Sequence, residues 1–161
     1  KDSEACPLLH GFTATTDGYA LRFGLNKFAE PSSRAGRRYA RPARGQTVVD
    51  MVPVHGSETI LAISTKCRAL VCAADEVNYL GGPGKGVRLI KISADDKLLG
   101  FKASRGDRDL LLVETNRGAK KTISTVKYRT TARGGAGTEI QKNGRIAKIL
   151  RDPVPAPTLP E

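Results

Sequence analysis

The centre of this chain reads Leu61-Ala62-Ile63-Ser64-Thr65-Lys66-Cys67-Arg68-Ala69-Leu70-Val71-Cys72, which is an apolar run, a polar turn and a second apolar run. This order is typical of a β-hairpin, because apolar and β-branched residues favour strands and short polar segments favour tight turns. Two further stretches repeat the pattern: Thr15-Thr16-Asp17-Gly18-Tyr19-Ala20-Leu21-Arg22-Phe23, and Glu114-Thr115-Asn116-Arg117-Gly118-Ala119-Lys120-Lys121-Thr122 after an apolar run at 110–113. Recurrence about every fifty residues predicts an array of small β units, propeller-like or solenoidal.

Each hairpin pattern is followed by the same two features. A bulky residue comes about ten positions after the turn, at Phe28, Val77 and Tyr128. A glycine-rich basic loop follows: Arg41-Pro42-Ala43-Arg44-Gly45, Gly82-Pro83-Gly84-Lys85-Gly86 and Arg133-Gly134-Gly135-Ala136-Gly137. We expect the bulky residue to anchor a turn of helix to the core, near 25–28 and 73–77, in an otherwise all-β chain.

The period divides the chain into three units. We place them at 10–57, 58–106 and 107–150, inside one β domain at 1–150, because 161 residues can bury one ordinary core. Gly45 and Gly86 are closer together than Gly86 and Gly137, which predicts that the first unit is abbreviated after Gly45. Residues 151–161 are too rich in proline to continue a sheet, and we expect a disordered tail.

The charge of the chain points to a polyanionic partner. The formal net charge is +11 and the pI is about 9.9. Like charges on one compact body repel unless something negative lies against them, so nucleic acid is the first candidate. A membrane is a weaker candidate, since no amphipathic basic helix and no apolar run of roughly 20 residues is present. The start Lys1-Asp2-Ser3-Glu4 does not resemble a signal peptide.

Arginine and lysine residues around the glycine loops are the candidate DNA-binding residues. Glycine lets backbone N–H groups approach a phosphate, and neighbouring cations add charge-assisted hydrogen bonds to its oxygens. The alternative is that the glycines only allow turns and the charges are merely solvated. The candidates are Arg34, Arg37, Arg38, Arg41, Arg44, Lys85, Arg88, Lys120, Lys121, Lys127, Arg129 and Arg133.

No pattern in the sequence favours catalysis. Cys6, Cys67 and Cys72 show neither CxxC spacing nor an even number, so we predict no disulfide framework or zinc site and a reducing cytoplasm. The segment 81–86 lacks the Ser or Thr and the spacing of a phosphate-binding P-loop. Nothing in the sequence indicates that His10 or His55 serves as a base for Cys67 or Cys72, and the acidic turn at 95–96 is a weak metal candidate.

The order of hairpin, bulky anchor, glycine-rich basic loop and strand resembles the C-terminal domain of the A subunits of bacterial type IIA topoisomerases, over nearly the whole chain. The stretches 17–23 with 34–38, and 80–92, look closer to topoisomerase IV than to gyrase. The gyrase hallmark Gln-Arg-Arg-Gly-Gly-Lys-Gly is incomplete. Its nearest match is 131–137, where Ala136 replaces the lysine and Thr131 the glutamine.

This resemblance implies a β-pinwheel whose neighbouring blades exchange a strand, here with about three blades in an open arc. It implies a non-catalytic domain that binds and bends double-stranded DNA. The family's catalytic tyrosine lies in another domain, so we assign that role to none of Tyr19, Tyr39, Tyr79 and Tyr128. By resemblance, the domain has no cofactor, whereas the parent enzyme uses ATP and Mg.

The resemblance also implies partners and a location. The partners are the other A-subunit domains and the ATPase B subunit, in an A2B2 holoenzyme, and the location is the bacterial cytoplasm, associated with the nucleoid. From the residues alone, a propeller-like protein-docking module remains the alternative to a DNA-binding domain.

Overall fold

The computed structural model describes residues 5–151, and regular structure in this range is almost entirely β. The strands are β1 His10–Thr15, β2 Tyr19–Gly24, β3 Val48–Val54, β4 Thr59–Ser64, β5 Arg68–Ala73, β6 Tyr79–Leu80, β7 Val87–Arg88, β8 Leu98–Ser104, β9 Leu111–Thr115, β10 Lys120–Ile123, β11 Thr138–Glu139 and β12 Ile146–Leu150. Two single 3-10 turns lie at Asn26–Phe28 and Ala74–Glu76. The all-β prediction and both helical turns are confirmed; the tail predicted beyond Arg151 lies outside the described residues.

The strands form three sheets, which we call blades 1 to 3. Blade 1 has the order β3-β1-β2, with β7 antiparallel and β6 parallel to β2. Blade 2 has the order β8-β4-β5-β11, and blade 3 has the order β12-β9-β10. Each blade is therefore one hairpin flanked by a further strand, as the repeated sequence pattern predicts.

Neighbouring repeats exchange a short strand at the outer edges of blades 1 and 2. The second repeat supplies β7, which pairs with the first repeat's β2, and the third repeat supplies β11, which pairs with β5. Within the described residues, no strand pairs with the corresponding outer edge of β10. The three blades form an open β-pinwheel arc that ends on a bare edge.

Two apolar cores hold the blades together face to face. The first lies between blades 1 and 2 and includes Phe12, Ile60 and Phe101, of which the two rings meet edge to face at 5.1 Å. The second lies between blades 2 and 3 and includes Leu61 and Val113, neither of which is exposed to solvent. Alternate residues of β4 thus point into different cores, so both faces of blade 2 are buried.

The hairpin turns require a left-handed residue at one position. Gly18 and Gly118 occupy it with φ of 81° and 79°, and Cys67 occupies it in blade 2 with φ of 60°. Glycine adopts this conformation without steric cost, whereas a side chain is strained there. Cys67 therefore replaces a turn glycine, as its place in the repeat predicts.

The first repeat has fewer strands than the second, but the missing strands do not lie after Gly45, where the sequence predicts the abbreviation. Its strand β3 has seven residues, as many as β8. The hydrogen bond from Gln46 N to Ala43 O matches that from Asp96 N to Ser93 O, so Gly45 lies in the turn before β3. The true counterpart of Gly86 and Gly137 is Gly36, at spacings of 50 and 51 residues. What the first repeat lacks, relative to the second, is the two short strands equivalent to β6 and β7.

Candidate nucleic-acid interface

Arg41 of the first loop and the second and third glycine loops lie next to one another along the outer edge of the arc. Arg41 N donates to Gly84 O at 2.8 Å, which joins the first loop to the second. Gly134 N donates to Leu89 O at 2.6 Å, and Lys91 N donates to Gly135 O at 2.8 Å, which joins the third loop to the second. Segments more than forty residues apart thus form one continuous line, which we call the rim.

Most of the predicted DNA-binding residues are exposed. Lys121 and Arg133 are half-buried, and the remaining ten are exposed: Arg34, Arg37, Arg38, Arg41, Arg44, Lys85, Arg88, Lys120, Lys127 and Arg129. Lys120 and Lys121 lie on β10, the bare outer edge of blade 3. The fold therefore brings the basic loops of the first two repeats together and adds the lysines of blade 3 at one end.

Carboxylates neutralise cations elsewhere on the chain. In residues 5–151, the ion pairs to Lys and Arg are Lys66–Asp95, Lys102–Asp109, Arg105–Glu58, Lys148–Glu114 and Arg151–Asp50. None of these five cations is among the twelve predicted residues. The predicted residues thus keep an uncompensated positive charge, which is what a polyanion would meet first.

Two candidates donate to backbone carbonyls of the fold. Arg37 Nη1 donates to Lys27 O, and Arg133 is held by more contacts. The Arg133 guanidinium donates from Nε to Glu76 O at 2.8 Å and from Nη1 to Arg88 O at 3.1 Å. Its backbone N–H donates to a Glu76 carboxylate oxygen at 3.0 Å. Arg133 therefore ties the third repeat to the second, a role that its place beside two glycines did not reveal.

Sequence reasoning missed one residue of the rim, Tyr19. The Lys85 ammonium lies 3.9 Å from the centre of its ring, and Arg88 Nη2 donates to its hydroxyl at 3.4 Å. The hydrogen bond from Arg88 and the charge of Lys85 lower the pKa of the Tyr19 hydroxyl. Only the pairing of β2 with β7 brings these residues together, so no local pattern in the sequence pointed to the cluster.

The cysteines near the cores are structural. Burial raises the pKa of the Cys72 thiol to about 12, and burial also raises the pKa of the Cys67 thiol. Neither thiol supplies a thiolate nucleophile near neutral pH. The exposed Cys6 Sγ lies 3.6 Å from His10 Nδ1, and the His10 ring also bonds to Pro7 O at 2.8 Å and to the Arg22 guanidinium at 3.2 Å.

The other candidate sites also have structural roles. Asp96 Oδ1 accepts from Thr65 Oγ1 at 2.7 Å and from Lys66 N at 2.9 Å, so this carboxylate fixes the hairpin turn of blade 2. No group of three metal-ligating side chains occurs within residues 5–151. The P-loop-like segment 81–86 leads into strand β7, whereas a P-loop leads into a helix. Neither 3-10 turn in this range approaches the length of a membrane-spanning helix.

The sequence is similar to a known protein family and to individual members of that family. The family described as "DNA gyrase C-terminal domain, beta-propeller" matches residues 12–55 and 59–105. The A subunit of DNA gyrase from Mycolicibacterium smegmatis is 31% identical over 140 residues, which cover 85% of this chain and 16% of that protein. The A subunit of DNA gyrase from Salmonella typhimurium is 29% identical over 144 residues, with 87% and 16% covered. The chain thus spans about a sixth of the length of these relatives.

Solved structures share the fold. The C-terminal domain of a DNA topoisomerase IV superposes with a TM-score of 0.79 at 18% identity, over 92% of this chain and 47% of that one. The C-terminal domain of a DNA gyrase A superposes with a TM-score of 0.73 at 20% identity, over 95% and 52%. The repeated hairpins, the exchanged strands and the family match agree. The chain therefore belongs to the C-terminal domains of type IIA topoisomerase A subunits, the family of the DNA gyrase C-terminal domain.

Proposed function

We propose that this chain is a non-catalytic domain that binds and bends duplex DNA through the phosphates along its rim. The observation that carries the proposal is the line of three hydrogen-bonded glycine loops with exposed cations that no carboxylate neutralises. Arginine and lysine bind phosphate oxygens by charge-assisted hydrogen bonds. The rim loops carry few amide side chains of the kind that read base edges, so affinity comes from the backbone of any duplex.

Bending requires that several loops act together. Smooth bending of a site by 40–90° costs of order 1–6 kcal/mol, which one loop of two or three cations does not offset. The first loop contributes five exposed arginines, and its backbone bond to Gly84 holds it beside the second loop. A duplex that follows the arc would meet both loops, and the added contacts would offset the cost of its curvature.

The parent protein, in this proposal, is the A subunit of a type II topoisomerase, and topoisomerase IV is favoured over gyrase. Ala136 stands where the gyrase hallmark has a lysine, which supports this choice. The partners are duplex DNA, the other A-subunit domains and an ATPase B subunit, in the bacterial cytoplasm at the nucleoid. Catalysis, ATP and Mg belong to those other parts of the enzyme.

Binding of two unrelated duplexes at several salt concentrations tests the DNA-binding role. Neutralising 6–10 phosphates predicts a loss of roughly 10³–10⁵ in affinity between 50 and 200 mM salt. The double variant Arg37→Ala with Arg38→Ala should weaken binding to both duplexes about equally, because phosphate contacts carry no sequence information. The matched control is Lys148→Ala, which removes an exposed cation already paired with Glu114.

A weak dependence on salt would favour the protein-docking alternative and contradict the proposal. A loss of binding to only one duplex would contradict phosphate contact. Bending with a handed sense is tested separately, by ligating nicked circular DNA with the chain bound and measuring the linking number. An unchanged linking number would reject a change of DNA path with a handed sense.

A further inference from the structure

We propose that the phosphate contact is concentrated at the outer edge of blade 1, on Tyr19, Lys85 and Arg88, and that the equivalent edge of blade 2 serves the fold instead. This inference rests on the DNA-binding role proposed above and assigns it to one place on the rim. It also assigns a structural role to the third glycine loop, at 133–137, which matches the gyrase hallmark only in part.

The blade 1 cluster is held in place by backbone pairing. Tyr19 and Arg88 are direct register partners in the β2–β7 pair. Gly86 has φ of 79°, and a Cβ built on it would lie 2.0 Å from Ala20 O. Only glycine lets the loop press this closely on β2, and the close approach brings both Lys85 and Arg88 to the Tyr19 ring. Two cations and a hydroxyl therefore converge before any ligand arrives.

The same positions in blade 2 carry different chemistry. Arg68 takes the place of Tyr19, and Glu139 takes the place of Arg88 as its register partner. Gly137 repeats the close approach of Gly86, with a Cβ at 2.6 Å from Ala69 O. The residue before it is Ala136, where the second loop has Lys85. The backbone is the same at the two edges, but all three ligand groups are replaced: the hydroxyl by a guanidinium, the lysine by alanine and the arginine by an acid.

Two cations of the blade 2 edge, Arg133 and Arg68, already have partners in the fold. Two nitrogens of the Arg133 guanidinium donate to backbone carbonyls, and Arg68 Nη1 donates to Gly137 O at 3.4 Å. Lys85 and Arg88 are exposed, and neither makes an ion pair within the described residues. On blade 1, a phosphodiester would meet Lys85 and Arg88 with Tyr19 as their shared contact. On blade 2, it would meet Arg133 and Arg68 already bonded to backbone carbonyls.

The position of the cluster connects it to the other exposed arginines. The bond from Arg41 N to Gly84 O places the first loop against the second, so the five arginines at 34–44 continue the positive surface away from Tyr19. The proposal therefore orients the duplex: the strongest contact is where repeats 1 and 2 meet, and the contact weakens toward blade 3.

The experiment compares matched edges of the full chain for affinity to one 30-base-pair duplex. Lys85→Gln with Arg88→Gln should lower the affinity about tenfold or more. The slope of log affinity against log salt should fall by about 2 units in magnitude. Tyr19→Phe should lower the affinity about twofold to tenfold through loss of the hydroxyl. Arg133→Gln should lower the melting temperature and, well below that temperature, leave the affinity within about twofold.

A gain of binding supplies the opposite test. Ala136→Lys with Glu139→Gln restores the lysine and removes the acid on blade 2, both at exposed positions. This variant should bind the duplex about threefold to tenfold more tightly than the wild type. Its slope of log affinity against log salt should be steeper by about 1.

The failures of the two proposals are distinguishable. If the wild-type chain binds with a steep salt dependence, but Arg133→Gln weakens binding as much as the blade 1 variant, the inference is overturned and the DNA-binding role stands. If the gain variant binds no better than wild type, the account of blade 2 is likewise overturned. If the wild-type chain shows no salt-dependent binding, both proposals fail.

Discussion

Blades 2 and 3 present the same strand pairs on one face, with different side chains. In blade 2 these pairs are Leu61 opposite Val71 and Ile63 opposite Ala69, and they pack against blade 3. In blade 3 the equivalent pairs are Leu112 opposite Thr122 and Glu114 opposite Lys120, and no sheet in residues 5–151 covers them.

Burial explains the difference between these two faces. A face that packs on a neighbouring sheet must be apolar, whereas an uncovered face of a repeat array needs polar residues to stay in water. Glu114 accordingly pairs with Lys148 at 3.5 Å across the surface of blade 3. The comparison shows that hairpin geometry comes from the turn and the strand pattern, while the packing of each blade depends on a few residues per face.

The largest expected effect on stability comes from truncating the leucine found at the same position of each face, Leu61 in blade 2 and Leu112 in blade 3. Leu61→Ala removes a side chain with no exposed surface and should lower the free energy of unfolding by about 2–5 kcal/mol. Leu112→Ala removes one that is 38% exposed and should cost about 1 kcal/mol or less. Urea unfolding of both variants measures the difference. Equal losses would show that the end face of blade 3 is buried in solution.

A second comparison uses the turn glycines on covered and bare edges. A Cβ on Gly18 would lie 2.4 Å from Ile90 O, in the segment that follows β7, whereas a Cβ on Gly118 meets nothing within 4 Å. Both glycines have left-handed φ, so alanine costs about 1–2 kcal/mol at either position. The clash adds about 1–3 kcal/mol at Gly18 alone.

We therefore expect Gly18→Ala to lower the free energy of unfolding by about 2–5 kcal/mol and Gly118→Ala by about 1–2 kcal/mol. The measurement is again urea unfolding. A slope of unfolding free energy against urea equal to that of the wild type would confirm that each variant exposes the same surface on unfolding. A large loss at Gly118 would mean that another strand covers β10 in solution.

Local features were predictable from the sequence because local chemistry causes them. The hairpins, the two helical turns and the turn role of Cys67 follow from apolar alternation and turn residues within a dozen positions. The exposed cations follow from composition, because acidic residues are sparse in the same loops. The place of these residues in the family was also recognisable, since motif order is a property of the sequence.

Long-range features were not predictable in the same way. Gly36 and Gly45 both have left-handed φ, at 69° and 78°, so residue type does not tell which one matches Gly86. The exchanged strands β7 and β11 are two residues long, too short for any periodic signal. The Tyr19 cluster and the hydrogen bonds of Arg133 both depend on these strands. The sequence therefore identified the basic loops, but it did not indicate which of their residues are available to bind a ligand.

One position on the compared face is polar even though it is covered. Arg22, in blade 1, is the counterpart of Val71 and Thr122. Its Nε donates to Val77 O, and its Nη1 donates to His10 Nε2 at 3.2 Å. Burial lowers the pKa of the His10 imidazole, and the adjacent Arg22 charge lowers it further. The hydrogen bond to Pro7 O and the charge of Glu58 oppose this shift without cancelling it. The junction of blades 1 and 2 thus depends on a neutral histidine.

Acidification should therefore weaken this junction selectively. With a folded-state pKa below the ordinary value near 6.5, His10 binds protons more readily when the chain is unfolded, so stability falls as the pH drops below about 6.5. Carboxylates remain ionised down to pH 5.5, which isolates the histidine effect between pH 7.5 and pH 5.5. We expect the melting temperature to fall across this range by roughly 2–4 °C for each kcal/mol lost, and by less in His10→Gln. The readout is the change with pH, so a lower starting stability of His10→Gln does not affect it. An identical pH dependence in both proteins would show that protonation of His10 does not oppose the Arg22 contact.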